Sequence, residues 1–300
     1  MTTERLFEKL DDAHGAYFDA TLVARTQSAF QTIEVFDSPT LGKLMRIDGV
    51  NMTSERDEFF YHENLIHPAA LAHPDPRDVL VIGGGDGGAA EEVLKHPSVE
   101  RCVLCELDGA VVDMAKQHFA SVHRGVFDSK RLDLKIGDGV AYLRETQHRY
   151  DLIYLDLTDP VGPAGNLYTP DFYRVCKKAL ASVGALVLHI GSPFSHPDRV
   201  QGSLRDLRSV FRIVTPYFVH IPAYGATWGF ACASDALDIA AIGPAEIEER
   251  LRERDIGHRQ FYNGPMHVAM QALPEYVKVL DKSKAQHRDT ENTEGHRESP

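Results

Sequence analysis

Acidic residues follow each of four predicted strands in the central part of the 300-residue chain, where they could do chemistry. They are Asp86, Glu106, Asp138 and the closely spaced pair Asp156 and Asp159. Because ligands of open parallel sheets bind outside the carboxyl ends of the strands, we expect these carboxylates to line one crevice. A carboxylate placed there can bind a cation, stabilise developing positive charge or accept a proton.

The loop of residues 83–88 (GGGDGG) follows a predicted strand and opens a predicted helix. Its glycines, beginning with Gly83, permit a tight turn and close approach of the backbone to a ligand. Glu106 ends the next strand about twenty residues later, where it can accept hydrogen bonds from both hydroxyls of a ribose. Asp138 lies between Gly137 and Gly139 and could receive an adenine amino group. Together they predict an adenosine-containing ligand; the alternative is that these carboxylates cap turns or helices.

Asp86 is the unusual residue of this glycine loop. A fixed carboxylate would repel the carboxylate of S-adenosylmethionine and the pyrophosphate of a hydride-transfer cofactor. It would instead attract the amine of a decarboxylated sulfonium ligand. The alternative is that Asp86 caps the helix predicted over residues 89–94.

The stretch YDLIYLDLTDP places Asp156 at a strand end and Asp159 three residues later, before Pro160. This spacing also fits a turn held by Asx hydrogen bonds. Combined with a sulfonium donor, it indicates alkyl transfer to a polyamine nitrogen, in which positive charge leaves sulfur and develops on nitrogen. We expect one carboxylate to assist the reacting nitrogen as a general base and the other to anchor the distant ammonium.

Two patterns of secondary structure surround these residues. Residues 28–53 alternate β-branched or aromatic with polar side chains, which predicts antiparallel strands. Helices are predicted over residues 55–73 and 198–211, and apolar strands alternate with helices from residue 78 onward, which predicts a parallel sheet covered on both faces. We therefore expect an N-terminal β-domain over 1–54, a Rossmann-like α/β domain over 55–280 and a disordered tail over 281–300.

Composition narrows the classes of function. With 32 Lys and Arg against 44 Asp and Glu, the net charge of −12 disfavours a nucleic-acid partner. Apolar runs are far shorter than the ~20 residues that span a bilayer, and the N-terminus lacks the apolar core of a signal peptide. Cys102 and Cys105 lie on one predicted strand, and Cys176 and Cys232 are isolated. A reduced, cytoplasmic protein without a membrane partner is expected.

In combination, these motifs resemble the polyamine aminopropyltransferases, the spermidine synthase family. The stretches that carry the resemblance are FQTIEVF, IDGVNMTSERDEFFYHE, HPDPRDVLVIGGGDGG, EVLKHPSVE, CELD, GDG, YDLIYLDLTDPVGPAGNLYTPDFY, HIPAY and FYNGPMHVAMQALPEY. The resemblance implies a small β-domain on a Rossmann-like, methyltransferase-type domain. It implies transfer of aminopropyl from decarboxylated S-adenosylmethionine, as co-substrate, to a small amine acceptor, with release of methylthioadenosine. It also implies no metal, no prosthetic group, and a homodimer or homotetramer.

The resemblance also assigns roles by motif. Asp156 would be the proton acceptor, Asp159 a ligand of the acceptor amine, and Asp86 a ligand of the aminopropyl nitrogen. The nucleoside would be held by a further set: Gln31, Gly83, Glu106, Asp138, Gly139 and Pro163. Tyr61 and Tyr224 would line the acceptor channel, and His62 would lie near donor and acceptor.

Two departures from the family pattern concern the acceptor. After an apolar strand, spermidine synthases commonly carry a Gln and, two residues later, an acidic or other polar residue, where this chain has Leu188-His189-Ile190-Gly191-Ser192-Pro193. The N-terminal tryptophan segment is also absent, and Trp228 is the single tryptophan. Putrescine is the default acceptor, with agmatine, cadaverine or a triamine as alternatives. A methyltransferase and a non-catalytic polyamine-binding protein are the alternative functions.

Overall fold

The computed structural model describes the backbone of residues 3–159 and 162–282, and the side chains of these ranges except 162–164 and 281–282. Pro163, expected beside the nucleoside, therefore lies outside the described side chains. The last helix is Glu275–Lys282, so the first two residues of the tail that was expected to be disordered are helical. Residues 283–300 of that tail lie outside the described residues.

Five antiparallel strands near the N-terminus form one sheet in the order β1-β2-β3-β4-β5. They are β1 (Thr3–Lys9), β2 (Gly15–Gln27), β3 (Thr32–Ser38), β4 (Gly42–Ile47) and β5 (Val50–Ser54). The strands expected over residues 28–53 are β3 to β5, whereas β1 and β2 were not predicted. Apolar side chains of the sheet, among them Ile33 and Met45, pack against Val111 and Phe119. This contact brings the turn before β3 next to the second loop of the larger sheet.

The second sheet has seven strands in the order β11-β12-β10-β9-β6-β7-β8. They are β6 (Asp78–Gly83), β7 (Arg101–Glu106), β8 (Leu132–Ile136), β9 (Tyr150–Asp156), β10 (Leu180–Gly191), β11 (Ile213–Ile221) and β12 (Ala226–Ser234). Strands β6 to β10 are parallel, and β12 joins β10 and β11 in antiparallel pairs. This sheet, with the antiparallel N-terminal one, confirms the expected α/β, methyltransferase-type fold class.

The helices mostly connect the strands of the larger sheet. They are α1 (Glu58–Ala72), α2 (Gly88–Leu94), α3 (Gly109–His118), α4 (Ala120–His123), α5 (Gly139–Glu145), α6 (Pro170–Ala179), α7 (Pro197–Arg208), α8 (Pro244–Glu253), α9 (Gly264–Ala269) and α10 (Glu275–Lys282). Short 3₁₀ helices cover Val126–Asp128, Gly162–Leu167, Pro222–Tyr224 and Ile239–Ala241. No helix in the described part of the chain has the length and hydropathy that a bilayer span requires.

Helix α1 begins three residues later than expected because Asp57 is used in a turn. Its carboxylate accepts hydrogen bonds from the Ser54 hydroxyl and, 2.6 Å away, from the backbone N–H of Ala223. Helix α7 likewise ends three residues earlier than expected, at Arg208. The small sheet thus ends at Ser54 and α1 starts at Glu58. The division into domains at residues 1–54 and 55–280 stays a prediction.

Strand β6 shows why the sheet is covered on both faces. Val79 and Val81 pack in one core, which also contains side chains of α1 and α2. Leu80 and Ile82 point to the opposite face and pack in a second core with side chains of α5, α6 and α7. Strand β6 lies between β7 and β9. From β6 the chain adds β7 and β8 on one side and then returns to add β9 on the other, so the order of the strands reverses at β6. A crevice at such a point is where this class of fold binds ligands.

Gly83, the last residue of β6, offers a stability test. It has a φ of +82°, and a Cβ there would lie 2.0 Å from the backbone oxygen of Asp156 on β9. We expect Gly83→Ala to lower the free energy of unfolding by about 3 kcal/mol or more, through strain and collision with backbone. Gly49 has a φ of +81°, and a Cβ added to it would meet no atom within 4 Å.

Gly49→Ala is therefore the matched control, since it carries the backbone strain without the collision. We expect it to cost about 1 kcal/mol. Urea denaturation of the two variants measures the difference. Equal destabilisation would show that the close approach of β6 to Asp156 is not tight.

Candidate active site

The glycine loop wraps the carboxyl end of β9. The backbone N–H of Gly84 donates to the backbone oxygen of Asp156 at 2.9 Å. A Cβ on Gly84 would lie 2.8 Å from Oδ2 of the same residue. Because the loop has no side chain here, the Asp156 carboxylate can share one small space with groups on the loop.

Asp86 pairs with His62 across this space. One carboxylate oxygen accepts from the backbone N–H of Gly88 at 3.0 Å, and the other lies 3.4 Å from Nε2 of His62. Burial raises the pKa of Asp86, but the charge and hydrogen bond of His62 outweigh it and leave that pKa below its ordinary value. Burial lowers the pKa of His62. The charges and hydrogen bonds of Asp86 and Glu58 outweigh burial, so the pKa of His62 is well above its ordinary value. The pair is thus an imidazolium and a carboxylate.

The contact with Gly88 also bears on the capping alternative for Asp86. Gly88 is the first residue of α2, so one oxygen of Asp86 does satisfy a free N–H at that helix start. The second oxygen faces His62. The capping interpretation is therefore correct for one oxygen, and the binding of a donor amine by Asp86 stays a prediction.

His62 is held by residues that the sequence analysis missed. Its Nδ1 is 2.8 Å from the Glu58 carboxylate, one turn earlier on α1. The other oxygen of Glu58 accepts from Arg124 at 2.9 Å. The i, i+4 spacing of Glu58 and His62 on a predicted helix was a signal that could have been used. Arg124 is 66 residues away from Glu58 and gave none.

Asp156 lies at the centre of the site. Its carboxylate, a carboxylate oxygen of Asp86 and a ring nitrogen of His62 lie within 4.8 Å of one another. Burial, together with repulsion from Asp86, raises the pKa of Asp156 to about 6, although His62 and a hydrogen bond from Tyr61 act in the opposite direction. A carboxylate with this pKa is anionic at neutral pH and is a stronger base than an exposed one.

These three groups are also the set that could ligate a cation. A protonated imidazole has no free lone pair for a metal, and the raised pKa of His62 keeps it protonated. The arrangement instead balances two carboxylates with one resident cation. That no metal takes part stays a prediction.

The expected nucleoside side lies at the ends of β7 and β8. Glu106 accepts from the backbone N–H groups of Asp108 and Gly85 at 2.9 and 3.1 Å, and burial raises its pKa to about 7. Gln31 donates to Asp108 at 3.0 Å, so the small sheet reaches this edge. Asp108 was missed, although it closely follows the motif residue Glu106.

Asp138 and Gly139 begin α5 at the same edge of the sheet. One carboxylate oxygen of Asp138 accepts from the backbone N–H of Val140 at 2.7 Å and caps the helix. The capping alternative is therefore met for this oxygen. The second oxygen is the one that can receive an adenine amino group.

Aromatic rings line the other side of Asp156. The rings of Tyr61 and Tyr224 are 6.2 Å apart in an edge arrangement, and Trp228 lies 5.1 Å beyond Tyr224. The Tyr224 hydroxyl donates to the carbonyl of Met52 at 2.9 Å. Asp159 lies along the same side and pairs with Arg199 at 2.8 Å. Tyr61 therefore lies beside Asp156, and Tyr224 lies between Tyr61 and the small sheet.

A Rossmann-like sheet of this strand order, with carboxylates and an imidazolium around its switch point, defines the methyltransferase-type class of α/β proteins. Residues 58–241 match the family model of the spermine/spermidine synthase domain. The polyamine aminopropyltransferase of Nitrosomonas europaea is 45% identical over 93% of this chain and 86% of its own. Polyamine aminopropyltransferase 2 of Hyperthermus butylicus is 41% identical over 88% and 87%.

Solved structures agree with these matches. A spermidine synthase in complex with the transition-state analogue AdoDATO superposes with a TM-score of 0.87 at 35% identity, covering 93% of this chain and 94% of that one. Spermidine synthase from Thermotoga maritima gives 0.86 at 34% identity, covering 94% and 95%. The chain belongs to the spermine/spermidine synthase family and is an aminopropyltransferase. The resemblance stated from the motifs is confirmed.

Proposed function

We propose that the protein transfers the aminopropyl group of decarboxylated S-adenosylmethionine to an amine acceptor, by default putrescine, and releases methylthioadenosine. The observation that supports it is the cluster of buried His62 with partly buried Asp86 and Asp156, in which one polar atom of each residue lies within 4.8 Å of the others. Agmatine, cadaverine and triamines are the alternative acceptors.

The reaction exchanges one bond for another at a single carbon. A neutral amine nitrogen attacks the aminopropyl carbon, the C–N bond forms as the C–S bond breaks, and the sulfonium becomes a neutral thioether. Positive charge develops on the nitrogen, and the Asp156 carboxylate stabilises it and takes the departing proton. Because the pKa of Asp156 is raised to about 6, it differs less from the pKa of the amine, which is about 10 when unperturbed, than the pKa of an exposed aspartate does.

The other site residues hold the two substrates in line for this attack. Asp86 takes the ammonium of the donor's aminopropyl group, and His62 holds Asp86 in place and lies near donor and acceptor. Tyr61 and Tyr224 line the acceptor channel, and Asp159 takes the acceptor's far ammonium. The nucleoside is assigned to the remaining set, which is Gln31, Gly83, Glu106, Asp138 and Gly139, with the undescribed side chain of Pro163.

Turnover with a panel of acceptors tests this function. Purified protein is given decarboxylated S-adenosylmethionine with putrescine, cadaverine, agmatine or spermidine, and methylthioadenosine and the product mass are measured. Equimolar methylthioadenosine and aminopropylated product are expected with at least one amine. Absence of both with every amine would overturn the proposal. Methylation of an acceptor from S-adenosylmethionine would favour the methyltransferase alternative instead.

The pH dependence of turnover tests the base. Because Asp156 must be ionised to accept a proton and its pKa is about 6, kcat/KM for the donor should fall tenfold per pH unit below about 6 and level off above it. Protonated acceptor amine also depletes the reactive form, so each rate is corrected for the known amine pKa. Donor affinity, measured by calorimetry over the same pH range, is the control. If the pH dependence of donor affinity alone accounts for the fall in kcat/KM, Asp156 is not the base.

A homodimer or homotetramer, a cytoplasmic location, and the absence of nucleic-acid and membrane partners stay predictions. The oligomer is directly measurable by light scattering on the purified protein. A monomer at micromolar concentration would contradict that expectation.

A further inference from the structure

The carboxylate assigned to the acceptor's far ammonium already has a cationic partner within the chain. Nη1 of Arg199 lies 2.8 Å from Oδ2 of Asp159, and the side chains are 16% and 37% exposed. Arg199 is in the first turn of α7, and its other terminal nitrogen, Nη2, is 3.4 Å from Nδ1 of His189. The Asp159 carboxylate, which the far ammonium of a diamine would use, is therefore already paired with a guanidinium.

Aromatic rings surround this guanidinium. Its carbon lies 5.8 Å from the ring centre of Tyr168 and 6.0 Å from that of Trp228. Trp228 contacts Tyr224, which contacts Tyr61 beside Asp156. Aromatic faces of this kind bind organic cations. The series of aromatic rings that begins beside the proposed base thus ends at the guanidinium of Arg199.

The end of β10, where the chain departs from the family pattern, lies against Arg199. Gly191 has a φ of +87°, and a Cβ there would lie 3.1 Å from atoms of the Arg199 side chain. His189 meets the arginine as a neutral ring, because burial and then the charge of Arg199 lower its pKa to about 4. Its Nε2 is 2.9 Å from the carbonyl of Leu157, and its Nδ1 accepts from Trp228 at 3.3 Å.

The pairing is also incomplete. Nε of Arg199 is buried and has no hydrogen-bond partner among the described residues. A buried N–H group without an acceptor is energetically unfavourable. The guanidinium of Arg199 is therefore not hydrogen-bonded through all of its N–H groups. Asp159 is about one-third exposed and can exchange this partner for another.

On the basis of the proposed function, we propose that Arg199 is a specificity-determining residue that competes with the second ammonium of a diamine acceptor for Asp159. A diamine must displace the guanidinium before its far end is bound, which raises its KM. An amine without a second cation does not meet this competition. Arg199 therefore weakens the preference of the site for diamines without acting on the bond-forming step.

Steady-state kinetics of Arg199→Gln with putrescine and with n-butylamine test this. The KM for putrescine should fall about tenfold, the size of one charge-assisted hydrogen bond, with kcat changed less than about threefold. The KM for n-butylamine, which lacks the second ammonium, should not move. Unchanged or raised KM for putrescine would overturn the proposal, since Arg199 would then be a spectator or would support Asp159.

A double-mutant cycle separates competition from general loosening. In an Asp159→Asn background, Arg199→Gln should no longer lower the KM for putrescine, because the contested carboxylate is gone. Arg205→Gln is the matched control: it lies on α7, is 52% exposed and pairs with Asp206. It should leave KM unchanged. Thermal unfolding of all variants checks that they fold.

Failure of the proposed function gives a different result. If the wild-type chain turns over no amine, calorimetry with putrescine still tests the competition. Arg199→Gln should then bind putrescine about tenfold more tightly than wild type. Equal affinity in the two proteins would overturn the role of Arg199 independently of catalysis.

Discussion

Replacing Asp156 by Asn should lower kcat by about a thousandfold while donor affinity changes less than about threefold. The substitution keeps the shape of the side chain and removes both its charge and its basicity. The ammonium that forms on the acceptor nitrogen then loses the carboxylate that stabilises it and receives its proton. Since the donor's ammonium is assigned to Asp86, donor binding is expected to persist.

Rapid-quench measurement of methylthioadenosine formation, with calorimetry for the donor, checks this expectation. Asp133→Asn is the control, because Asp133 lies on β8 and pairs with Arg101 and Lys135 away from the cluster. It should retain wild-type turnover. An Asp156→Asn variant with turnover within about tenfold of wild type would show that another group accepts the proton.

The larger sheet could be predicted from the sequence because its strands are buried on both faces. The continuous apolar run of β6 and the glycine loop after it are typical of a central parallel strand that leads into a helix. Strands β1 and β2 could not be predicted in this way. Five of the seven residues of β1 are exposed and four of the seven are charged, and β2 is exposed or partly exposed along all but one of its 13 residues. Their pairing with each other and with β3, rather than their own pattern, makes them strands.

The residues of the candidate site likewise fall into two groups, those that could be predicted from the sequence and those that could not. Residues at strand ends, such as Asp86 and Asp156, could be predicted because the parallel sheet brings all such ends to one edge. Glu58 could have been predicted from its i, i+4 spacing to His62 on the helix. Arg124 and Arg199 could not, because each contacts a partner that only the tertiary structure supplies. Arg199 is the clearest case, since a charged residue in the first turn of an amphipathic helix is typically solvated. The departure from the family pattern at Gly191 is visible in the sequence, whereas its contact with the Arg199 side chain is not.

Asp86→Asn should reduce the preference for decarboxylated over carboxylated donor by about a hundredfold. Both donors carry the ammonium, so both lose its charge-assisted hydrogen bond, and this loss largely cancels in the ratio of their affinities. The carboxylated donor alone is relieved of the repulsion between its own carboxylate and that of Asp86. Two like charges about 4 Å apart in a partly desolvated site repel by a few kcal/mol, which accounts for the expected change.

Calorimetry with the two donors and with methylthioadenosine measures this change. Methylthioadenosine has neither the ammonium nor the carboxylate, so its affinity should be the same in wild type and variant and serves as the internal control. Because one oxygen of Asp86 accepts from Gly88, and an Asn side-chain oxygen can do the same, the loop should keep its conformation. If the ratio of the two donor affinities stayed within about threefold of wild type, the selection against the carboxylated donor would have to come from the shape of the cleft rather than from this charge.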